Sequence, residues 1–296
     1  MKISAFPKCW IEDIDSGKMD LFDWIELSTV LECEGLELMP SFLREQTTEY
    51  NKKVLRAVQD RGMVVSMMCY SPDFTVEGRD ELERQIEDQK KAIRLSAELD
   101  CSFCRTLSGQ KRPGLNLEKT IDQVAYAIEA CLSTAEKHGV NLVIENHFKD
   151  SYWLYPEFAQ KMEVFISLIN KIDSPWFGVQ FDPSNSLVAG EDPVVLLDRV
   201  LPRVKTMHAS DRYVAEGYIL SDVMLSIEQK GYPEGLLHGV TGKGLNDYDA
   251  IFTRLRSIGY DGWVSIEDGM NGMGEMKESV DFLKVMRDKY FTNGCK

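Results

Sequence analysis

The feature that most restricts the fold of this chain is a repeated alternation of short β-like runs with longer amphipathic helical patterns. The eight predicted strands are Ile3–Phe6, Leu36–Met39, Val64–Tyr70, Phe103–Leu107, Leu142–His147, Gly178–Asp182, Lys205–Ala209 and Val264–Glu267. Strands that alternate with helices of crossover length form a parallel sheet. Eight such units in 296 residues favour closure into a barrel. The sequence also lacks the GxGxxG motif that would favour an open nucleotide-binding sheet. The sequence therefore predicts an α/β fold, a single (β/α)8 TIM barrel over residues 1–296, with a long insert after the seventh strand at about 212–243.

The charge balance and the apolar pattern exclude several classes of partner. The net charge of -14 is spread along the chain and repels phosphate backbones, which argues against a nucleic-acid partner. No apolar run approaches the ~18 residues of a membrane span, and the N-terminus lacks the features of a secretory signal. The seven cysteines are irregularly spaced, and the one C-x-x-C pair, Cys101 and Cys104, falls in an apolar run. We therefore expect a cytoplasmic protein with reduced, structural cysteines and no membrane partner.

Acidic and imidazole side chains stand at the carboxyl ends of the last four predicted strands. Side-chain alternation directs Glu145 and His147 into the barrel, and the same count directs Asp182, His208 and Glu267 inward. Active sites of this fold lie at that end of the barrel. Three carboxylates that meet there resist ionisation unless a cation neutralises them. The alternative at each position is an isolated polar residue that caps a helix or pairs with an arginine, but four inward residues at one depth favour a metal site.

The predicted ligands are Glu145, Asp182, His208 and Glu267. This oxygen-rich set suits one divalent ion, with Mn²⁺ preferred and Mg²⁺, Co²⁺ or Zn²⁺ as alternatives.

Other residues near the predicted mouth are candidates for substrate binding. They are Asp211 and Arg212 directly after His208, His238 and Lys243 in the insert, Glu37 in the second strand, and Trp10 after the first strand. Glu37 either contacts substrate or pairs with a barrel arginine. Trp10 either offers an apolar face to a sugar or is an ordinary packed aromatic residue.

Four segments, LVIENH, FDPSNSLVAGEDP, VKTMHASDR and GKGLNDYDAIFTRLRSIGYDGWVSIED, together resemble the xylose-isomerase-like barrel superfamily of sugar phosphate isomerases and epimerases. The similarity runs over essentially the whole chain. In that family the matching Glu, Asp, His and Glu bind one divalent metal. The resemblance implies a sugar isomerase or epimerase in which Glu145 and Glu267, on opposite faces of the substrate, relay a proton beside a carbonyl that the metal binds. Endonuclease IV shares the fold, but its zinc cluster needs more than the four histidines present here.

Two departures from the epimerase pattern keep a second function open. Many epimerases have a substrate-binding histidine three residues after the aspartate, where this chain has Asn185, which we take as a substrate-binding candidate. The loop HFKDSYW offers His147 instead of a second acid. His147 is either a general base near neutral pH or a residue that holds Glu145 in place.

The E-N-H run is also similar to the catalytic subunit of bacterial C-glycoside deglycosidases, which act on 3-oxo-glycosides with a small β-rich partner subunit. This implies, as the alternative, a metal-dependent lyase with His147 as general base. The expected partners are a sugar or sugar derivative, with either a homo-oligomer or that partner subunit.

Overall fold

The computed structural model describes residues 1–45, 47–230 and 233–292, and for 228–230 it describes the backbone alone. Eight parallel strands form a closed barrel: β1 (Lys2–Ala5), β2 (Gly35–Leu38), β3 (Val64–Met68), β4 (Phe103–Thr106), β5 (Asn141–Glu145), β6 (Phe177–Phe181), β7 (Val204–Ala209) and β10 (Trp263–Ile266). Each strand pairs with the next along the chain, and β10 pairs with both β7 and β1. The predicted TIM barrel is confirmed.

The observed strands end earlier than predicted in seven of the eight cases, by one or two residues. The third and fifth strands show the largest difference, because Tyr70 and His147 both lie beyond the ladder in the loops that follow β3 and β5. In the sequence, polar residues near the mouth follow the alternating pattern of the strand without a break. In the structure, the backbone at these residues has already left the strand to form the site.

Helices surround the barrel. They are α1 (Ile11–Asp15), α2 (Leu21–Leu27), α3 (Thr48–Gln59), α4 (Arg79–Glu98), α5 (Leu117–His138), α6 (Met162–Ile169), α7 (Pro183–Val188), α8 (Pro193–Val200), α9 (Leu220–Lys230), α10 (Tyr248–Ser257) and α11 (Met273–Arg287). The longest, α5, begins where the side chain of Asn116 accepts a hydrogen bond from the Lys119 amide, and it ends at Gly139, whose φ of 68° suits glycine.

The hydrophobic core lies between the outer face of the barrel and these helices. Leu142, Ile144 and Val264 on the strands are fully buried, as are Val54 and Ile93 on α3 and α4. The interior of the barrel is more polar. Ser4, Ser66, Gln180, Thr206 and Ser265 are buried there, which places small or polar side chains beneath the candidate site.

The segment after β7 carries a small antiparallel hairpin of β8 (Asp211–Val214) and β9 (Leu236–Gly239), with α9 between the two strands. Arg212 lies opposite His238 in this hairpin. The six cysteines in the described part of the chain are free, and Cys101 and Cys104 are buried as predicted. Burial raises the pKa of the Cys104 thiol to about 12, which makes it unreactive. No helix in the described residues combines the length and apolar character needed to cross a membrane.

Candidate metal centre and active-site cleft

Four buried side chains meet at the carboxyl end of the barrel. Glu145, Asp182, His208 and Glu267 each offer one ligand atom, and these atoms lie within 4.8 Å of one another. They come from the ends of β5, β6, β7 and β10, as the strand alternation predicted. The four residues are at most 6% exposed, so the cluster is withdrawn from bulk water. The structure therefore shows that these four side chains lie together, and their role as metal ligands remains a prediction.

Glu37 fixes the ring of His208. The His208 Nε2 atom lies 2.8 Å from Glu37 Oε2, and the Nδ1 atom lies 3.1 Å from Glu145 Oε1. If Nε2–H donates to Glu37, the Nδ1 lone pair faces the cluster and is free for a cation. Glu37 is 1% exposed and also accepts a hydrogen bond from Cys69 Sγ. In the structure its partners are thus His208 and Cys69, and its role as a substrate contact stays a prediction.

The electrostatics of the cluster fit a bound cation. Burial raises the pKa of Asp182 to about 6, with further contributions from the charges of Glu145 and Glu267. Burial lowers the pKa of His208, but the charges of Glu37, Glu145 and Glu267 outweigh it and raise that pKa well above its usual value. The group therefore holds more negative charge than its own cations balance. A divalent ion would remove this repulsion, and the carboxylate-rich donor set suits one.

Two cations bind the outer oxygens of the glutamates. Arg105, which is 4% exposed, donates from Nη1 to Glu145 Oε2 at 2.8 Å. Lys8 Nζ donates to Glu267 Oε1 at 3.1 Å. Burial raises the pKa of both carboxyls, but the charges of His208 and Arg105 bring that of Glu145 well below its usual range. The charges of Lys8 and His208 bring that of Glu267 to about 2.

These two cations are absent from the residues predicted as site residues. The signal for Arg105 is a lone charge in the apolar run CSFCRTL, two residues after Phe103 on the same strand face. Its pairing register with Val143 places it on the inward face with Glu145. Lys8 gives a weaker signal, a basic residue shortly after β1.

His147 lies in the loop after β5 with a carboxylate partner of its own. Its Nδ1 atom lies 3.5 Å from Glu157 Oε2, and its ring meets Trp153 edge-on at 6.5 Å between centroids. Glu157 is held in turn by the amide and hydroxyl of Ser108, at 2.6 and 2.5 Å. Burial lowers the pKa of His147, but the neighbouring Glu157 carboxylate and the charge of Glu145 raise it overall. No pattern in the sequence identifies Glu157, ten residues further along the loop.

A cleft of about 620 Å³ opens above the cluster. Its walls include Phe6, Lys8, Ile11, Met39, Arg105, His147, Tyr152, Glu267 and Met270. The ring of Trp10 packs against that of Trp24, with 5.6 Å between the centroids. The prediction that Trp10 contacts substrate stays a prediction.

The family model of the xylose isomerase-like TIM barrel matches residues 22–286. The chain belongs to this family. An inosose dehydratase of Bacillus thuringiensis (strain Al Hakam) is 27% identical over 150 residues, which are 51% of this chain and 47% of that protein. The match thus spans about half the length of this curated relative.

Solved structures share the whole barrel with this xylose isomerase-like chain. A D-tagatose 3-epimerase-like protein superposes with a TM-score of 0.76 at 16% identity and covers 100% of both chains. The IOLI protein, whose crystal structure has a bound zinc atom, gives a TM-score of 0.74 at 14% identity and covers 99% of this chain and 100% of its own. At such identities the likeness shows the fold.

The remaining predicted contacts of this xylose isomerase-like barrel divide into two groups. Asn185 is at the site, because its Nδ2 atom donates to Glu145 Oε1 at 3.3 Å. Asp211 is fully buried, and its carboxylate accepts hydrogen bonds from the backbone amides of Gly242, Gly244 and Asn246. Asp211 therefore holds a loop, and its role as a substrate contact stays a prediction.

Lys243 also lies away from the cleft. Its side chain is 66% exposed and pairs with Glu278 of α11, and its role as a substrate contact stays a prediction. His238 and Arg212 remain predictions. The Nδ1 atom of His238 lies 3.6 Å from Asp268 Oδ1, and burial together with the charges of Arg212 and Lys8 lowers the pKa of His238 to about 2.

We expect the full chain to bind one divalent ion. Elemental analysis after reconstitution with Mn²⁺ should give a stoichiometry near one per chain. His208→Ala should remove most of that ion, because it deletes the only nitrogen donor in the predicted set. His138→Ala, on the far end of α5, is the matched control and should retain the ion. Wild-type protein without metal, or equal metal content in both variants, would contradict the site.

Asp73 holds the loop that contains His147 and Tyr152. Its carboxylate accepts hydrogen bonds from the side chains of Arg112, Gln110 and Thr75, at 2.5, 2.7 and 2.9 Å. The Gln110 Oε1 atom in turn accepts from the backbone amides of Leu154 and Tyr155, at 2.8 and 3.1 Å. The rim of the cleft after β5 is thus tied to the loops after β3 and β4.

This arrangement predicts a pH-dependent contribution to stability. Burial raises the pKa of Asp73, but the hydrogen bonds from Arg112, Gln110 and Thr75 outweigh it and leave the pKa below 3.8. When folding lowers the pKa of a carboxyl group, the ionised group stabilises the protein at pH values above its unfolded-state pKa. This stabilisation is lost as the pH falls through the folded-state pKa. Asp73→Asn should therefore cost ~1–3 kcal/mol of unfolding free energy at pH 7.

The difference in unfolding free energy between Asp73→Asn and wild type should become smaller as the pH falls below about 4. Urea unfolding at pH 7 and pH 3 measures this difference. The exposed Asp60→Asn serves as control and should change little at either pH. If Asp73→Asn loses the same unfolding free energy at both pH values, the ionised Asp73 carboxylate does not stabilise the protein in this way.

Proposed function

We propose that this chain is a divalent-metal-dependent carbohydrate enzyme that removes a proton from the carbon beside a substrate carbonyl, with His147 as the base, and that it completes the reaction as a lyase. The observation that carries the proposal is the contrast between His147 and the two glutamates. His147 lines the cleft and has its own carboxylate partner, whereas the glutamates are held by cations.

Glu145 and Glu267 are poorly suited to accept a proton from carbon. One oxygen of each carboxylate faces His208 and the cluster, and the other accepts from Arg105 or Lys8. Their pKa values are lowered accordingly, and a weak base has little driving force to remove a proton near neutral pH.

His147 has the opposite properties. If its Nδ1–H is directed at Glu157, the Nε2 lone pair is left for the substrate. The Glu157 carboxylate also stabilises the imidazolium that forms after proton transfer. A catalytic histidine base needs this stabilisation from the group that orients it. Ser108 and the packed Trp153 ring restrict the position of this pair.

The metal would be held by Glu145, Asp182, Glu267 and the Nδ1 atom of His208. When bound, a divalent ion supplies Lewis-acid polarisation of a carbonyl oxygen. We propose Mn²⁺ because three of the four donors are carboxylates, with zinc as the alternative that the similar IOLI structure contains.

The leaving group requires a proton donor on the same cleft. In an elimination, His147 takes the proton, the C–H electrons form a carbon–carbon double bond, and the leaving oxygen departs with the electrons of its bond to carbon. The ammonium of Lys8 lines the cleft and can protonate that oxygen. A ketone that bears a hydroxyl or alkoxyl group on the next-but-one carbon is the substrate class this chemistry needs.

A sugar isomerase or epimerase is the second candidate. It is favoured by the whole-chain likeness to a D-tagatose 3-epimerase-like protein and by the convergence of Glu145 and Glu267 on one cluster. In that reaction Glu145 and Glu267 relay the proton, and it returns to carbon.

Products formed in D2O separate the two functions. Mn²⁺-reconstituted protein would be incubated with a panel of ketoses, inososes and 3-oxo-glycosides, and the products followed by NMR. A lyase releases a separate leaving group and an unsaturated or rearranged ketone. An isomerase or epimerase returns a related sugar with deuterium at the reacting carbon. Neither exchange nor cleavage with any member of the panel would contradict both functions.

A further inference from the structure

Five polar side chains inside the barrel carry buried atoms that have no hydrogen-bond partner within the described part of the chain. The atoms are Oγ of Ser4, Ser66 and Ser265, Oγ1 of Thr206, and both Oε1 and Nε2 of Gln180. Each of the five residues is at most 1% exposed. We propose that these atoms bind a group of ordered water molecules in the interior of the barrel, directly beneath the cluster.

The strand pairing directs these side chains to the same face. Ser4 pairs with Ser265, and Gln180 pairs with Thr206; paired residues of a parallel ladder point to the same side. Ser265 in turn pairs with His208, whose ring lies in the cluster. Thr206 lies two residues before His208 on β7 and shares its face. The face is therefore the inner one.

Ser66 meets this group at a glycine. Gly35 pairs with Ser4, and a Cβ atom placed on Gly35 would lie 3.1 Å from the Cβ atom of Ser66. The same added atom would lie 3.0 Å from the Trp263 ring. Trp263 lies two residues before Ser265, so its ring closes the interior toward the amino ends of the strands.

The small size of the inner side chains leaves room for water. An eight-stranded barrel is just wide enough for side chains to fill it, and bulky branched residues usually do so. Here Gly35 has no side chain, and serine or threonine occupies Ser4, Ser66, Thr206 and Ser265. A polar space of this kind holds water, whereas an apolar one stays dry.

The energetics also require partners for these atoms. A buried hydroxyl or amide that makes no hydrogen bond destabilises the folded state, and six such atoms close together would do so severely. A buried water usually makes about three hydrogen bonds to otherwise unsatisfied groups. The six atoms are therefore enough to hold roughly two to four waters that also bind one another.

These waters would lie on the side of the cluster opposite the cleft. Gln180 and Ser265 lie two residues before Asp182 and Glu267 respectively, and so beneath them on the inner face. Hydroxyl groups donate or accept according to their rotation, so the waters can direct their own hydrogens toward the carboxylates above. The site thus supplies hydrogen-bond donors to the cluster without adding a cation.

The direct test counts long-lived internal waters by oxygen-17 magnetic relaxation dispersion. This signal comes from the water oxygen, so exchanging hydroxyl protons do not contribute. Ser265→Val in the full chain removes a hydroxyl and adds apolar volume, and the dispersion amplitude should fall by the equivalent of about one water or more per chain. Ser102→Val, the same change at an exposed position before β4, should leave the amplitude as in wild type. Equal amplitudes in wild type and Ser265→Val, or an equal fall in both variants, overturn the proposal.

The urea midpoint of Thr206→Val is a second test, because its sign depends on the water. Valine has nearly the shape of threonine but no hydroxyl. If the hydroxyl binds water, valine leaves that water short of a partner and the midpoint falls; if the hydroxyl is unpaired, valine removes an unsatisfied group and the midpoint rises. We expect a fall.

Thr241→Val is the matched control for that measurement. Thr241 is fully buried, and its hydroxyl donates to Asp268 Oδ2 at 2.7 Å, so its loss should also lower the midpoint. A midpoint of Thr206→Val that rises or stays unchanged while that of Thr241→Val falls would show that the Thr206 hydroxyl binds no water, and the proposal would fail.

Discussion

His147→Gln is expected to lower turnover of the metal-loaded protein by ~10²–10⁴-fold, the range that general-base catalysis usually supplies. Glutamine retains a hydrogen-bonding side chain of similar reach but cannot accept a proton from carbon. Because His147 lies in the loop beyond β5 and its ring pairs with Glu157, the metal content should be unchanged. The measurement is steady-state kinetics beside elemental analysis, on whichever substrate the D2O panel identifies.

Two further variants test whether the loss of turnover comes from the base function of His147. Glu157→Gln keeps the position of the partner but removes its charge, so the pKa that limits the reaction should fall as the imidazolium loses its stabilising carboxylate. His138→Gln, remote at the end of α5, should behave as wild type. If His147→Gln retains near-normal turnover, the proton is carried by Glu145 and Glu267, and the epimerase mechanism is favoured instead.

The sequence predicted the parts of the site that depend on periodicity. Strand alternation together with the barrel topology brings Glu145, Asp182, His208 and Glu267 to one end, because parallel strands share that edge and successive side chains alternate faces. That inference needs no knowledge of loops. It succeeded because both constraints, the two-residue repeat and the closed barrel, are properties of the backbone.

The sequence could not predict the contacts of residues whose partners lie far away along the chain. The partner of Glu37 is His208, 171 residues later, and only the assembled barrel shows this. Asp211 follows His208 directly, yet the loop that begins at Gly242 occupies its carboxylate. Proximity in sequence to a ligand therefore does not establish a place in the cleft.

Loop residues were the least predictable. Tyr152 lines the cleft and Glu157 lies beside His147, and both belong to the loop after β5, whose path is set by Gln110 and Asp73 in two other loops. No periodic signal describes such a path, since it depends on which side chain of one loop meets which amide of another.

Arg105→Met is expected to lower the free energy of unfolding of the metal-free protein by ~3–5 kcal/mol. Arg105 and Glu145 form a buried pair, with side chains that are 5% and 0% exposed. Removing one partner of such a pair leaves the other charge in a poorly solvated interior, which costs far more than the pair itself contributes. Methionine keeps much of the volume, so the loss reports the unpaired carboxylate rather than a cavity.

A double-mutant cycle and a metal titration identify the cause. Arg105→Met combined with Glu145→Gln should be less destabilised than Arg105→Met alone, because the buried charge is gone. Arg61→Met removes an arginine whose partner, Glu26, is 67% exposed, and should cost no more than ~1 kcal/mol. Unfolding would be followed in urea with EDTA and again with Mn²⁺. Since a bound cation neutralises Glu145 from the other side, Mn²⁺ should recover more stability in Arg105→Met than in Arg61→Met. Equal recovery in the two variants, or additive losses in the cycle, would show that Arg105 does not act on Glu145.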